Sequence, residues 1–319
     1  MNDKMKELLK VAKLKRELLF RSTNAARLVN GAGDGMAGLV LEQYDRHFVS
    51  QVFDPRWFGQ KAALIDFVKN ECGGQYFIVK DRARSQAAQP DAFTASIWIE
   101  GTSSQTIVEE NGLQFSVDLN DTLNTGLFLD MRENRRLAAS MAGGKKVLNC
   151  FAYTCSFGVY CRREAAASVV NVDISKKNLE RGRVNYELNR IVAAPNEFIR
   201  EDAAQYLRRA GKKDNRFDLI ILDPPSFSRH EGKTFSVRKN MPGLLAAALA
   251  ILNPAGRLFA ATNYSGMTVA DLENLAREAA QTMGVKIVSL KHCGPDIDFP
   301  AERADRATSL SAVCLQINY

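Results

Sequence analysis

The sequence lacks a long apolar run and any C-x-x-C pair, and its 319 residues include only three histidines and six separated cysteines. A membrane-spanning helix needs about 20 mainly apolar residues, and a signal peptide needs an apolar segment near its N-terminus. Since neither pattern is present, we predict a cytoplasmic protein with reduced thiols. The scarcity of histidine and the absence of cysteine pairs also argue against a zinc site.

Acidic residues are fewer than basic ones, with 36 Asp and Glu against 43 Lys and Arg, which gives a net charge of +7 and a pI near 9.1. This excess favours a polyanionic partner, because clustered cations neutralise the phosphates of a nucleic-acid backbone. The basic residues form several clusters: the first 21 residues, Arg162-Arg163, Lys176-Lys177, Arg181 with Arg183, and Arg208-Arg209 with Lys212-Lys213.

Three regions of the chain differ in periodicity. Residues 1–21 place apolar side chains at helical spacing between lysines, which predicts a basic N-terminal helix or arm. Residues 22–120 contain short strand-like runs and the hairpin signal Asn111-Gly112, which predict a small α+β domain associated with RNA or substrate. A helix is predicted there over residues 57–72.

Residues 121–319 alternate between strand and helix patterns. Such alternation predicts an α/β domain with a doubly wound parallel sheet. The predicted strands are Lys146–Asn149, Ser168–Val172, Glu197–Arg200, Phe217–Leu222, Arg257–Thr262 and Val285–Leu290. The predicted helices include Lys176–Asn189, Ala203–Arg209, Leu244–Leu252 and Ala270–Met283.

The segment Phe217 to Phe227, FDLIILDPPSF, is the most informative part of the chain. Its apolar first half predicts a strand buried on both faces, and ligands of open α/β sheets bind beyond the carboxyl ends of the strands. Pro224 and Pro225 have no N–H donor, so the carbonyls of Asp223 and Pro224 can accept from a ligand. The carboxylate, the carbonyls and the Phe227 ring suit the amino-bearing edge of a planar base. The alternative is a strand that ends in a Pro-rich turn.

Polar residues also follow the other predicted parallel strands. The first strand ends at Asn149, and the G-x-G-x-x-G motif that binds a pyrophosphate does not follow it. Asp173 comes after the second strand, where nucleotide-binding α/β folds hold a ribose, and Asp202 comes after the third. Each acid alone is more often a helix N-cap. Together with Asp223 they predict an adenosine-like ligand without phosphates, and S-adenosylmethionine fits that description.

The chain resembles the class I S-adenosylmethionine-dependent RNA methyltransferases, and within them the ribosomal large-subunit methyltransferase K/I family. The similarity covers residues 22–319 and implies a Rossmann-like methyltransferase domain. It rests on NTGLFLDMRENRR (Asn124 to Arg136), VLNCFAYTCSFG (Val147 to Gly158), NVDISKKNL (Asn171 to Leu179), REDA (Arg200 to Ala203) and LDPPSFS (Leu222 to Ser228).

The resemblance implies roles for residues in these segments. Phe128, Asp130 and Arg132 are expected to close over the cofactor, and Asp173 and Asp202 to hold its ribose and adenine. The segment from Asp223 to Phe227 is expected to receive a flipped base. The full predicted cofactor set is Thr125, Phe128, Asp130, Arg132, Asn149, Tyr153, Thr154, Asp173, Ser175, Asp202, Ala203 and Asp223, and the predicted catalytic set is Asp223, Pro224, Phe227 and Asn263.

Two departures from the family bear on the substrate. Many members begin with a PUA RNA-binding domain, whereas only the basic residues 1–21 precede the central domain here, so RNA capture is expected to use other surfaces. The branch that methylates cytosine C5 carries a cysteine nucleophile after strand five, because C5 requires covalent activation by a thiolate. Asn263 occupies that place, and Ser226 follows the prolines. We therefore predict a guanine target. The segments TGLFLD and DPPSFS are more similar to the branch that methylates guanine N7 than to the C5 branch, and this resemblance implies N7 in preference to N2.

Three alternatives to this prediction stay open. One is methylation of cytosine C5, and another is a non-catalytic RNA-binding or ribosome-assembly protein that retains the cofactor fold. The third is a small-molecule methyltransferase, which the basic charge and the additional N-terminal domain disfavour. The sequence leaves the oligomeric state open.

Overall fold

A computed structural model describes residues 3–83, 94–98, 103–121, 124–230, 233–301 and 310–319. The chain divides into two compact units. Unit 1 comprises Met1–Arg132 and Asp296–Arg306, and unit 2 comprises Glu133–Pro295 and Ala307–Tyr319. The boundaries predicted from the sequence, at residues 21 and 120, therefore differ from the division between these units.

The elements of unit 1 form a small α+β domain. Its helices and strands are α1 (Asp3–Lys15), β1 (Ala25–Asn30), β2 (Leu39–Tyr44), β3 (His47–Val52), α2 (Lys61–Asp66), β4 (Tyr76–Asp81), β5 (Thr94–Trp98), β6 (Gln105–Glu110) and β7 (Leu113–Asp118). Short 3-10 helices cover Glu17–Arg21, Gly31–Asp34, Pro55–Gln60 and Leu129–Met131, and a π-helical turn covers Phe67–Glu71.

Strands β1 to β5 form one sheet in that order, with β3 and β4 parallel and the other neighbours antiparallel. Strands β6 and β7 form the predicted hairpin, and the φ angles of 52° at Asn111 and 75° at Gly112 are those that its tight turn requires. The helix predicted over 57–72 is wrong in its continuity. The segment consists of a 3-10 helix, the α-helix α2 and a π-helical turn. The 3-10 helix begins at Pro55 because the Asp54 carboxylate accepts from the N–H of Arg56.

Helix α1 belongs to unit 1 rather than standing apart as an arm. Met5, Leu9 and Ala12 on one of its faces are buried in the same apolar core as Phe48 and Phe77. The helix ends at Lys15 because Arg16, which follows, is fully buried and pairs with Asp34 at 2.6 and 2.8 Å. Arg16 is therefore one N-terminal cation that cannot contact RNA.

The elements of unit 2 alternate as the sequence predicts. They are α3 (Arg132–Ser140), β8 (Lys146–Cys150), α4 (Ser156–Arg163), β9 (Ser168–Asp173), α5 (Lys176–Leu188), β10 (Phe198–Arg200), α6 (Ala203–Lys212), β11 (Phe217–Leu222), β12 (Phe227–His230), β13 (Lys233–Ser236), α7 (Val237–Leu249), β14 (Leu252–Thr262), α8 (Val269–Thr282), β15 (Lys286–Cys293) and β16 (Ser311–Asn318).

Seven of the nine described strands of unit 2 form a sheet in the order β10-β9-β8-β11-β14-β16-β15, and β12 and β13 form a separate two-stranded sheet. The first five strands are parallel, which confirms the α/β class I methyltransferase fold. The sheet also contains β16, which was not predicted and which runs antiparallel to both β14 and β15. Helix α7 begins at Val237 rather than at the predicted Leu244, and it continues through Pro242 and Gly243, two residues that usually interrupt a helix.

The main core of unit 2 lies between its sheet and helices α6, α7 and α8. Leu148, Ile220 and Leu258 from three adjacent strands pack there against Leu245 and Leu272. All five side chains are buried. This packing holds the central strands rigidly, and their carboxyl ends carry the residues predicted to be functional.

Candidate functional site

The carboxyl ends of the parallel strands form one edge of the unit 2 sheet. Cys150 at the end of β8 is paired with Val172 on β9 and with Leu222 on β11, and Leu222 is paired with Ala260 on β14. Asp173, Asp223 and Asn263 lie at or just beyond these ends. The register therefore places three sequence-predicted groups along the same edge.

Asp173 organises the turn that follows β8. Its Oδ2 accepts from the backbone N–H of Tyr153 at 2.9 Å, and its Oδ1 accepts from the N–H of Ser175 at 2.8 Å. Burial raises the pKa of the Asp173 carboxyl, while these hydrogen bonds and a longer one from Asn178 act in the opposite direction. The carboxylate thus connects the ends of β8 and β9 and remains partly accessible at the edge.

The turn after β8 is built without the usual glycines. Phe151, Tyr153 and Cys155 have φ angles of 59°, 49° and 59°, a left-handed region that costs energy for residues with a side chain. Cys155 is fully buried. A Cβ at Gly182 would lie 2.5 Å from the Cys155 sulfur, so that glycine makes room for the thiol. Packing of the buried side chains replaces glycine in holding this turn.

Asn149 begins a buried chain of hydrogen bonds beneath the turn. Its Nδ2 donates to Oδ1 of Asn171 at 2.9 Å, and Nδ2 of Asn171 donates to the Tyr186 hydroxyl at 2.9 Å. That hydroxyl donates to Oε1 of Glu197 at 3.0 Å. A Cβ at Gly158 would lie 2.4 Å from Oδ1 of Asn171, which explains the one glycine retained here. The Asn149 side chain therefore supports β8 and β9 from within.

The remaining predicted cofactor residues of unit 2 have defined local roles. Ser175 caps α5 by accepting from the N–H of Asn178, and Asp202 caps α6 by accepting from the N–H of Gln205. Thr154 is buried and its carbonyl accepts from Nδ2 of Asn185. Ala203 is buried as well. The N-cap roles considered in the sequence analysis are thus present, and they leave one carboxylate oxygen of Asp202 outside the cap.

The D-P-P segment leads into a hairpin that the sequence analysis did not predict. Pro224 is buried, Asp223 is half-buried, and the Phe227 side chain is 54% exposed at the start of β12. Strands β12 and β13 pair from Phe227 with Ser236 to His230 with Lys233. The rings of Phe151 and Phe235 lie 5.8 Å apart. An exposed ring therefore follows a carboxylate and two prolines in the chain, just after the end of β11.

Asn263 contacts this segment directly. The Ser226 hydroxyl donates to Oδ1 of Asn263 at 2.6 Å. In the turn that follows β14, it is Thr262 Oγ1 that accepts from the N–H of Tyr264, at 3.1 Å. With Oδ1 bonded to Ser226, the Nδ2 group of the exposed Asn263 side chain is oriented as a hydrogen-bond donor.

The cysteines do not provide an activated nucleophile. Cys150, Cys155 and Cys161 are buried, and burial raises the pKa of each thiol, that of Cys161 to about 12. Burial also raises the pKa of the other three, to about 11 for Cys72 and Cys314 and above the ordinary value for Cys293. A nucleophilic cysteine needs a lowered pKa, so all six are thiols at neutral pH.

Four of the predicted cofactor residues lie in unit 1. Thr125 is buried, and its hydroxyl donates to the Tyr44 hydroxyl at 2.9 Å. Phe128 precedes the 3-10 helix that contains Asp130, and both side chains are half-buried. The negative charge of Asp130 is one of the causes that raise the pKa of Arg27. These contacts attach the segment from Thr125 to Asp130 to strands β1 and β2.

Arg132 lies in a buried ion-pair cluster of unit 1. Its side chain is 1% exposed. Its Nη1 lies 3.1 Å from carboxylate oxygens of both Asp296 and Asp298, its Nη2 donates to the carbonyl of Ala25, and Glu110 lies 3.6 Å away. Arg132 was predicted to be a site residue because it lies in the segment NTGLFLDMRENRR, which resembles the family. In the structure, its guanidinium forms ion pairs with Asp296 and Asp298.

The groups at the sheet edge suit an adenosyl ligand. Asp173, Asp202 and Asp223 follow three strands of one sheet and offer acceptors for hydroxyl and amino groups. A phosphate-binding loop directs several backbone N–H groups at its ligand. In the turn after β8, by contrast, the N–H of Tyr153 donates to the Asp173 carboxylate. Among the described residues, no group of three or more His, Cys, Asp or Glu side chains could hold a metal ion.

Several residues that shape the site were missed from the sequence. Asn171 lies on β9, Tyr186 on α5 and Glu197 just before β10, and no local pattern indicates that they meet. Ser226 was noted only as a residue that is not cysteine. Its bond to a residue 37 positions away depends on the neighbouring positions of β11 and β14.

Comparisons with known proteins agree with this geometry. A protein family described as S-adenosylmethionine-dependent methyltransferase matches residues 69–310. The chain is 34% identical over 269 residues to the "Putative ribosomal RNA large subunit methyltransferase YwbD" of Bacillus subtilis, covering 82% of this chain and 66% of that protein. It is 29% identical to the "Ribosomal RNA large subunit methyltransferase I" of Photobacterium profundum, covering 87% of this chain and 70% of that protein.

A solved structure extends the similarity to the whole fold. The crystal structure of "SMU.776, a putative methyltransferase complexed with SAH" matches with a TM-score of 0.86 and 26% identity, and the match covers 98% of this chain and 80% of that one. No helix in the described part of this chain is long and apolar enough to cross a membrane. The chain spans about two thirds of the length of the curated relatives that it matches.

Proposed function

Because the chain belongs to the S-adenosylmethionine-dependent methyltransferase family, we propose that it methylates a guanine of ribosomal RNA in the cytoplasm, at N7 in preference to N2. The names of the Bacillus and Photobacterium relatives support ribosomal RNA as the substrate class. The net charge of +7 supports a polyanionic partner independently of those names.

The proposed cofactor site uses the carboxyl edge of the unit 2 sheet. S-adenosylmethionine supplies a methyl group on a positively charged sulfur. Asp173 would accept from its ribose hydroxyls, and Asp202 would accept from its adenine amino group. The three acidic side chains at successive strand ends also favour a cationic ligand over a phosphorylated one. For Thr125, Phe128 and Asp130, which lie in unit 1, a role toward the cofactor stays a prediction from the family resemblance.

The pairing of Ser226 with Asn263, beside Asp223, is the observation that carries the guanine assignment. The Watson–Crick edge of guanine has the acceptor O6 next to two donors, N1–H and N2–H. Asn263 Nδ2 would donate to O6, and the Asp223 carboxylate would accept from the two donors. The exposed Phe227 ring provides a surface on which the base can stack. A base held by that edge keeps N7 accessible.

The chemistry at N7 needs positioning rather than covalent activation. N7 has a lone pair in the neutral base, so the protein has to hold the base in line with the methyl donor and exclude competing orientations. Cytosine C5 requires a thiolate that adds to the ring. The raised pKa values of all six thiols, with Asn263 in the place of a cysteine, favour guanine over cytosine.

Mapping of methylated bases in ribosomal RNA tests this proposal. RNA from cells with and without the protein is compared, and the purified protein is then supplied with the unmodified RNA and labelled S-adenosylmethionine. We expect one 7-methylguanine that the Asp223→Ala variant fails to form, although it still binds the cofactor. A 5-methylcytosine at the affected position would overturn the guanine assignment, and unchanged RNA methylation would overturn the enzymatic one.

A further inference from the structure

Two exposed cations, Arg238 and Lys239, stand in the first turn of α7. Within the described part of the chain, neither side chain forms a hydrogen bond or an ion pair. Two other exposed arginines of unit 2, Arg209 and Arg277, are instead paired with Glu201 and Glu273. Among the side chains that the structure describes, no acid therefore pairs with Arg238 or Lys239.

These cations follow the β12–β13 hairpin, which brings them back to the segment proposed to receive the base. Ser236, two residues before Arg238, is the strand partner of Phe227. The N–H of Val237 donates to the carbonyl of Ser226 at 3.2 Å. Since Val237 is buried and the next two residues are exposed, Arg238 and Lys239 lie on the surface beside the Ser226–Phe227 segment.

The helix itself gains no stability from this arrangement. The amino end of a helix carries a partial positive charge, so a cation there is unfavourable. The first turn of α7 contains no acidic residue that would offset the two charges. A bound polyanion would compensate both the side chains and the helix end.

We propose that Arg238 and Lys239 bind the RNA backbone phosphates next to the target nucleotide and so hold the strand while its base enters at Asp223. This inference rests on the proposed function and adds to it the surface that the RNA backbone follows. Arginine can bind a phosphate through two parallel N–H bonds, and lysine acts as a point charge. In the sequence, Phe227, whose ring is exposed, comes after Asp223 and before these two cations.

A pair of charge-neutralising variants tests the surface. Arg238→Gln with Lys239→Gln removes two positive charges beside Phe227. Lys212→Gln with Lys213→Gln is the matched control, because these exposed lysines end α6 where the chain turns toward the amino end of β11. Binding of unmodified ribosomal RNA is measured at several salt concentrations, together with cofactor binding and initial rates of methylation.

We expect the Arg238 and Lys239 variant to reduce the slope of log affinity against log salt by about 1.4, since each phosphate contact on a single strand contributes about 0.7. Its KM for RNA should rise with little change in kcat, and its cofactor affinity should match that of the wild type. The control should keep the wild-type slope and KM. A wild-type protein that neither binds nor methylates RNA would refute the proposed function. A functional wild type whose slope is unchanged in the first variant, or reduced equally in both, would refute this surface alone.

Discussion

Ser226 and Asn263 join the ends of two neighbouring parallel strands, with the serine hydroxyl donating to Oδ1 of the asparagine at 2.6 Å. Ser226 follows the two prolines after β11, and Asn263 is the first residue after β14. This bond determines which way the Asn263 amide faces. It therefore determines whether the site presents an N–H donor or an oxygen acceptor to a bound base.

The first prediction concerns this orientation. Ser226→Ala should lower kcat/KM about fivefold, because one hydrogen bond of about 1 kcal/mol no longer orients the amide, whereas Ser226→Thr should retain activity. Asn263→Ala should lower kcat/KM further, and adding Ser226→Ala to it should have no additional effect. Single-turnover methylation and thermal unfolding are measured for each variant. Fully additive losses would mean that the two side chains act independently.

The second prediction separates cofactor binding from turn stability. Asp173→Ala should weaken S-adenosylmethionine binding by roughly 2–4 kcal/mol, because charged hydrogen bonds to the ribose are lost. Asp218→Ala is the matched control, since Asp218 also accepts from a backbone N–H and an asparagine amide but lies near the amino end of β11. Calorimetry on both folded variants checks the difference. Equal affinity in the two would remove Asp173 from the site.

The third prediction concerns the thiols. RNA that contains 5-fluorocytosine should form no covalent adduct with the protein, because the pKa of each cysteine is raised and the thiolate is scarce at neutral pH. Separate Cys→Ser changes at Cys150, Cys155 and Cys161 should preserve the rate per folded molecule. Denaturing gel electrophoresis detects an adduct. An adduct that disappears in one of these variants would restore cytosine C5 as the target.

The fourth prediction concerns the ion-pair cluster of unit 1. Arg132→Met should lower the free energy of unfolding by about 3–5 kcal/mol, because it leaves the buried carboxylates of Asp298 and Glu110 without their cation. Arg136→Met should cost less than about 1 kcal/mol, since Arg136 is 67% exposed where it pairs with Glu133. Urea unfolding of both variants measures the contrast. A similar small loss in both would show that the cluster contributes little to stability.

The fifth prediction follows from Lys80, a buried lysine on β4 whose ammonium donates to the carbonyl of Asp121. Burial lowers its pKa from 10.5 to about 8. Between these two values the unfolded chain binds the proton more tightly than the folded one, so this residue makes stability rise with pH over that window and leaves it flat below pH 8. Subtracting the Lys80→Met unfolding curve from the wild-type curve should reveal the rise. A flat difference would mean that Lys80 titrates normally.

Local sequence signals predicted the elements whose causes are local. The hairpin at Asn111-Gly112 formed as expected because those two residues tolerate positive φ. The strand Phe217–Leu222 was predicted with its bounds unchanged because an apolar run between charged residues and prolines is typical of a central parallel strand. The helix over 57–72 was predicted as one piece because its apolar spacing is helical, and no sequence pattern indicates its change to a π-helical turn.

By itself, the sequence determined the fold class, the series of strand ends with their acids, and the D-P-P segment at the end of β11, because each depends on residues close together in the chain. Only the tertiary structure decided that β16 lies antiparallel between β14 and β15, since a strand's place in a sheet depends on distant pairing. It also decided that buried Arg132 pairs with Asp298, 166 residues away, and that the Ser226 hydroxyl donates to the Asn263 amide oxygen. Burial and hydrogen bonding between distant segments set these contacts, and no local pattern contains that information.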